Sequence, residues 1–138
     1  MDPEKRAGER RAELVIDAET PSLNKSFGQP LRERMRTKKR IKNAVLVAVL
    51  TCGKHRLPRA GRVVGLVYLH IHCYRWQRIS DNDNLVPSCK SLIDALVLNQ
   101  VLADDSDKHI AVTYDQSVDR KKRRTHVTLR WVPQERSR

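Results

Sequence analysis

Val63-Val-Gly-Leu-Val-Tyr-Leu-His-Ile-His-Cys-Tyr-Arg-Trp-Gln-Arg-Ile79 holds the clearest periodicity in the chain. Val67, Leu69, Ile71 and Cys73 alternate with Tyr68, His70, His72 and Tyr74, the period of two that separates the faces of a β-sheet. The odd positions form a core face. The even face, with Tyr68, Tyr74 and Trp76, is too aromatic for plain solvent exposure; a helix, a dimer partner or nucleic acid would cover it, with protein the preferred cover.

Downstream, Leu85, Cys89, Leu92, Ile93 and Leu96 recur at helical spacing and predict a helix over Val86 to Leu98, with Pro87 in its first turn and Asp83 or Asn84 as its cap. Lys108 to Gln116 and Arg124 to Val132 alternate as strands. The basic connection Ser117 to Arg123 between them predicts a hairpin. Upstream, Leu31, Met35, Ile41, Val45, Ala48 and Val49 mark one face of a helix from Leu31 to about Leu50, crowded by Arg32, Arg34, Arg36, Lys38, Lys39, Arg40 and Lys42. Leu14-Val-Ile16 is a short first strand, and Thr51 to Arg62, with Gly53, Pro58 and Gly61, is a loop. The order β, α, β, α, β, β gives an α+β fold, a small mixed β-sheet with two helices packed on it.

The 138 residues suit one domain. Residues 1–11 are charged and without apolar period, which predicts a disordered leader; residues 12–132 form the domain and 133–138 a flexible tail. The 28 Lys and Arg against 16 Asp and Glu give a net charge of +12, which attracts polyanions, nucleic acid first among them. On the basic helix, a phosphate-facing surface stands beside an ordinary solvated face, and a membrane-surface role is weakened by the lack of Trp or Phe on the apolar side. Three cysteines without a CxxC pair argue against a disulfide framework. With no apolar signal-peptide core and no run approaching the ~20 residues of a membrane span, the expected setting is cytoplasmic, with no membrane partner.

Against this basic background the acidic residues gather at two places. Asp81 and Asp83 follow the long strand, and Asp104 and Asp105 follow the second helix. If the strand continued through Asp81 and Asp83, both carboxylates would leave one side and share a cation. A 13-residue helix rises about 20 Å, so Asp104 or Asp105 must return by way of Asn99 to Ala103 to join them. Mg²⁺, or Mn²⁺ in its place, takes such oxygen donors, and beside a phosphodiester it polarises the phosphate and acidifies water. The alternative is a turn and helix cap at 81–84 and a second turn at 104–107. An EF-hand fails because Leu85 and Val86 occupy a ligand position and the glycine position. Zinc held by Cys52, His55, His70, His72 and Cys73 lacks knuckle spacing, and these read as packed strand residues instead.

Asp81-x-Asp83-Asn84-Leu85, Lys90-x-x-x-Asp94-Ala95-Leu96 and Asp104-Asp105, in that order, resemble the signature of RusA-type Holliday junction resolvases of phages and prophages. The resemblance extends to Pro21-Ser-Leu-Asn24, the basic helix and the C-terminal strands. It implies a homodimeric, Mg²⁺-dependent endodeoxyribonuclease that binds branched, four-way DNA junctions and cuts them with paired symmetric nicks in recombination and repair. It also implies Asp81, Asp83 and Asp105 as metal-binding aspartates, with Asp104 beside the last, and Lys90 as the catalytic lysine. Val86 to Cys89 adds a few residues to the family's pattern and displaces Lys90 from the aspartates; an i, i+4 pair with Asp94 is its other role. The DNA-binding candidates are the seven cations of the first helix and Arg120, Lys121, Lys122, Arg123 and Arg124. A non-catalytic DNA- or RNA-binding accessory protein, or an RNA-directed nuclease, are the other readings.

Overall fold

A computed structural model describes residues 5–21, 30–79 and 82–135, without the side chains of residues 82 and 83. In order they form β1 (Arg10–Ile16), α1 (Leu31–Cys52), a 3₁₀ turn (Lys54–Arg56), β2 (Val63–Arg75), α2 (Asn82–Ser88), α3 (Lys90–Leu98), β3 (Ile110–Val118) and β4 (Arg124–Pro133). The result is an α+β fold around a four-stranded mixed sheet in the order β1-β4-β2-β3.

β2 is central because both its edges are used: it runs antiparallel to β4 and parallel to β3. A parallel neighbour needs a crossover, which α2 and α3 supply. The two strands expected to form a hairpin therefore lie on opposite sides of β2, and β4 continues outward to pair with β1, Leu14 opposite Val127. Asp119 shows why the basic connection does not fold back tightly: its backbone N–H donates to Arg75 O at the end of β2, carrying the chain past that strand. Near the start of β2 the register with β4 slips between Val64 and Tyr68, where Gly65 takes φ +70°, the backbone of a bulge that a side chain rarely adopts.

The odd face of β2 is core, as its alternation predicts. Val67, Leu69, Ile71 and Cys73 are buried with Leu14 and Ile16 of β1, Val127, Leu129 and Trp131 of β4, and Ile41, Val45 and Val49 of α1. The even face is not covered by a helix of the described residues. Tyr68, His70, His72 and Tyr74 stay half-buried, each shielded by its neighbours: the His72 and Tyr74 rings stand 4.5 Å apart, Tyr74 and His126 5.0 Å, and the Arg6 guanidinium lies 4.5 Å above the Tyr68 ring.

The expected leader contributes to the sheet. β1 begins at Arg10, Arg6 donates to the Leu66 and Arg130 carbonyls, and the Glu9 carboxylate accepts from Arg130 at 2.9 Å. Charge alone predicts fraying; here the charges are spent on partners inside the domain. Toward the other end Pro133 ends β4 and the Gln134 N–H donates to Arg62 O, so these two residues of the expected tail are held by the domain.

The helix expected over Val86 to Leu98 is two. Pro87 lies in the last turn of α2, where it has no N–H and its ring crowds the carbonyl four residues before. The helix stops at Ser88, whose hydroxyl donates to Leu85 O at 2.6 Å, while the Cys89 N–H takes the tighter bond to Val86 O. α3 then restarts at Lys90. A buried polar cluster fastens this joint to the end of β2: Arg75 donates to the carbonyl and the hydroxyl of Thr20 at 2.6 and 2.8 Å, the Ser88 and Thr20 hydroxyls lie 3.3 Å apart, and the Cys73 and Cys89 sulfurs are 3.7 Å apart.

Candidate active site and nucleic-acid surface

Of the expected site residues, Asp83 falls in the first turn of α2, Lys90 at the start of α3, and Asp104 and Asp105 in the loop after α3. β2 ends at Arg75, so the strand does not run through the first aspartates. Asp83 lies on α2, its side chain outside the description, and Asp81, like residues 22–24 of the Pro21 to Asn24 segment, lies outside the described residues altogether. Two of the expected site residues do meet. After α3 the chain reverses at Asn99 and Gln100, and the Val101 and Leu102 side chains are buried while both N–H groups bond Leu96 O. This returns the loop along the helix. Asp105 Oδ2 arrives 3.6 Å from Lys90 Nζ, which also sits 3.4 Å from Asp94 Oδ1. The chain thus returns through Asn99 to Ala103 as far as Lys90, and the i, i+4 pair with Asp94 is made as well; the expected meeting with Asp81 and Asp83 lies outside the described side chains.

Asp94 first, then Asp105, hold the Lys90 ammonium above the ordinary lysine range, so it is a persistent cation rather than a proton acceptor. All three side chains are exposed, and ion pairs of this kind are worth little in water, so a phosphate or a metal ion can compete for them. Asp105 offers the hard oxygen donor that Mg²⁺ takes. Asp104 turns the other way: its Oδ1 accepts from the Asp105 N–H at 2.7 Å, shaping the turn instead of facing Lys90.

The basic helix divides in two. Its buried residues are Ile41, Val45, Ala48 and Val49, whereas Leu31 and Met35, expected on the same apolar face, are 64% and 61% exposed. No side chain of residues 31–40 is buried. About 15 Å of helix therefore carries Arg32, Arg34, Arg36, Lys38, Lys39 and Arg40 ahead of the core, with Lys42 exposed at the junction.

The second basic group is partly committed to the protein. Arg124 donates to Asp119 at 2.9 Å and lies 3.8 Å over the Tyr74 ring. Asp119 also accepts from the Lys121 and Lys122 N–H groups; the Arg124 bond first and these backbone bonds next pull its carboxyl below the usual range. Arg120 and Arg123 flank the half-exposed Trp76 ring at 5.4 and 5.6 Å. Trp76, expected with Tyr68 and Tyr74 on a covered face of the strand, instead lies just past the end of β2 and stays exposed between these two arginines.

The zinc ligands considered from sequence do not converge. Strand alternation sends Cys73 to the core while His70 and His72 stay on the open face. Asp115 of β3, registered opposite His72, is the neighbour that sequence spacing had no means to supply. Burial first lowers the His72 imidazole pKa, with Asp115 opposing and His70, His126 and Arg124 assisting.

No protein-family model matches the chain, and a search of curated proteins finds no match. No helix among the described residues is long and apolar enough to cross a membrane.

Proposed function

We propose that this protein is a metal-dependent, structure-selective endodeoxyribonuclease of the RusA type, acting as a homodimer on branched DNA. The observation that carries the reading is the approach of Lys90 to Asp105 at 3.6 Å across 15 positions of sequence, two residues that the resemblance assigns to one site. Asp105, with Asp81 and Asp83, would hold Mg²⁺; when bound, the ion supplies charge neutralisation at the phosphoryl oxygens and a more acidic water. Lys90, kept protonated by its two carboxylates, donates to a non-bridging phosphate oxygen. The cations of residues 32–42 hold the backbone through phosphate contacts without reading sequence.

Strand cleavage of a labelled four-way junction beside a linear duplex of the same sequence tests this. The expected outcome is paired nicks in the junction alone, dependent on Mg²⁺ or Mn²⁺, lost with chelator and in Asp81→Asn and Asp105→Asn. Lys90→Ala should lower the rate about 10²–10³-fold, the usual loss for one charge-stabilising donor, with partial recovery in Lys90→Arg. Junction binding without nicks under either metal would overturn the nuclease reading. That result would favour a non-catalytic nucleic-acid-binding protein, for which the exposed Trp76 between Arg120 and Arg123 offers a surface where a base can stack.

A further inference from the structure

His70 and His72 are two residues apart on β2, so their side chains leave the same face of the sheet about 6.6 Å apart at the backbone. Their ring centroids are 6.4 Å apart. On the neighbouring strand Asp115 stands opposite His72, its Oδ2 3.9 Å from His72 Nδ1. One donor atom from each of the three lies within 4.8 Å of the other two. Ligand atoms of a tetrahedral site with ~2.0–2.1 Å bonds are about 3.3 Å apart, a distance that small side-chain rotations reach from here.

The remaining ring nitrogens are already engaged. His70 Nδ1 is 2.7 Å from the Thr113 hydroxyl, which also lies 3.5 Å from Leu69 O; with that hydroxyl donating to the carbonyl it accepts from His70 Nδ1–H, the tautomer that keeps the lone pair on Nε2. His72 Nε2 is 2.7 Å from the Ser117 hydroxyl, which leaves Nδ1, the atom facing Asp115. Outer hydrogen bonds of this kind fix the tautomer and aim the lone pair in metal sites. Thr113, Asp115 and Ser117 are alternate residues of one edge strand, so β3 supplies one ligand and both orienting hydroxyls. The ligand set, two imidazoles and a carboxylate, suits Zn²⁺ rather than Mg²⁺. Asp115 is 60% exposed, so solvent has access to a fourth position.

We propose that His70, His72 and Asp115 bind Zn²⁺ and that the ion clips the edge strand β3 to the central strand β2. The inference stands apart from the nuclease reading, because these residues lie on the sheet face away from the core and none belongs to the Lys90–Asp105 group.

The test uses the full chain, untagged and stripped with chelator, titrated with Zn²⁺ alone by calorimetry and with Co²⁺ alone by visible absorption. Expected are one bound ion per chain, Co²⁺ bands displaced by Zn²⁺, and a melting temperature that rises by several degrees on adding Zn²⁺. Asp115→Asn and His72→Gln should each weaken binding at least 10-fold and abolish the thermal shift. Thr113→Val, which removes only an orienting bond, should weaken it about 10–100-fold. Cys52→Ser with His55→Gln should leave binding intact. Circular dichroism keeps misfolding out of the comparison, and the exposed Asp115 provides the variant least able to disturb the fold. Absence of saturable binding at micromolar Zn²⁺, or one-ion binding retained in Asp115→Asn and His72→Gln, would overturn the proposal.

Discussion

Gln100 is the one non-glycine residue among those described with positive φ, at 62°. It ends α3 in a Schellman arrangement: the Gln100 N–H bonds Val97 O, the Val101 N–H bonds Leu96 O, and buried Val101 lies beside buried Leu96. This reversal sends Asp105 back to Lys90. A left-handed conformation costs a side-chain-bearing residue roughly 1–2 kcal/mol, a cost glycine escapes. Gln100→Gly should therefore raise stability by about 1 kcal/mol in urea denaturation without altering the site. A decrease would mean that the Gln100 side chain holds the loop. Lys90 was legible from its spacing to Asp94, since i, i+4 partners on a helix must meet; its contact with Asp105 depended on a reversal that no glycine announces.

At the scale of elements, the periodic segments were readable and their connections were not. β2 and the C-terminal half of α1 each bury the face their alternation marks, because burial is what the pattern records. The hairpin of β3 and β4 and the unbroken helix after Asp83 both failed for want of tertiary information. Neighbours in sequence are the default partners, but β2 had two edges to satisfy. Pro87 suits a first turn as well as a last one, and the Arg75–Thr20–Ser88 cluster under the joint has no sequence period. That cluster makes a prediction. Thr20 and Arg75 are 2% and 4% exposed, so Thr20→Val, which keeps the shape but removes a hydroxyl acceptor from a buried guanidinium, should cost about 1.5–3 kcal/mol, the range for bonds to charged groups. Urea midpoints beside wild type check it; an unchanged midpoint would show that the Thr20 carbonyl and the Glu19 carboxylate suffice for Arg75.

Taken whole, the molecule is closed by its N-terminal segment. The Glu9 side chain is 3% exposed between Arg6 and Arg130. Burial raises its carboxyl pKa, but the hydrogen bonds from Arg130 and Arg6, with their charges, outweigh it and leave the pKa below the ordinary glutamate value. A depressed carboxylate contributes stability above its unfolded pKa, about 4.3, and loses it as pH falls through the folded value. Glu9→Gln should thus be less stable than wild type near neutrality, with the two melting temperatures converging below about pH 4. A gap that persisted in acid would locate the effect in packing rather than charge.

The strand order also dictates a schedule. β4, the last strand made, lies between β1, the first, and β2. While the chain is being synthesised, β1 has no partner among the described strands until β4 emerges from the ribosome, and pairing across such a separation is intrinsically slow. The earliest assembly open to the nascent chain is β2 with β3 and the helices between them. Ribosome-bound chains stalled before β4 would then expose β1 to other strands, so completion of this sheet depends on the timing of translation as well as on the contacts of the finished fold.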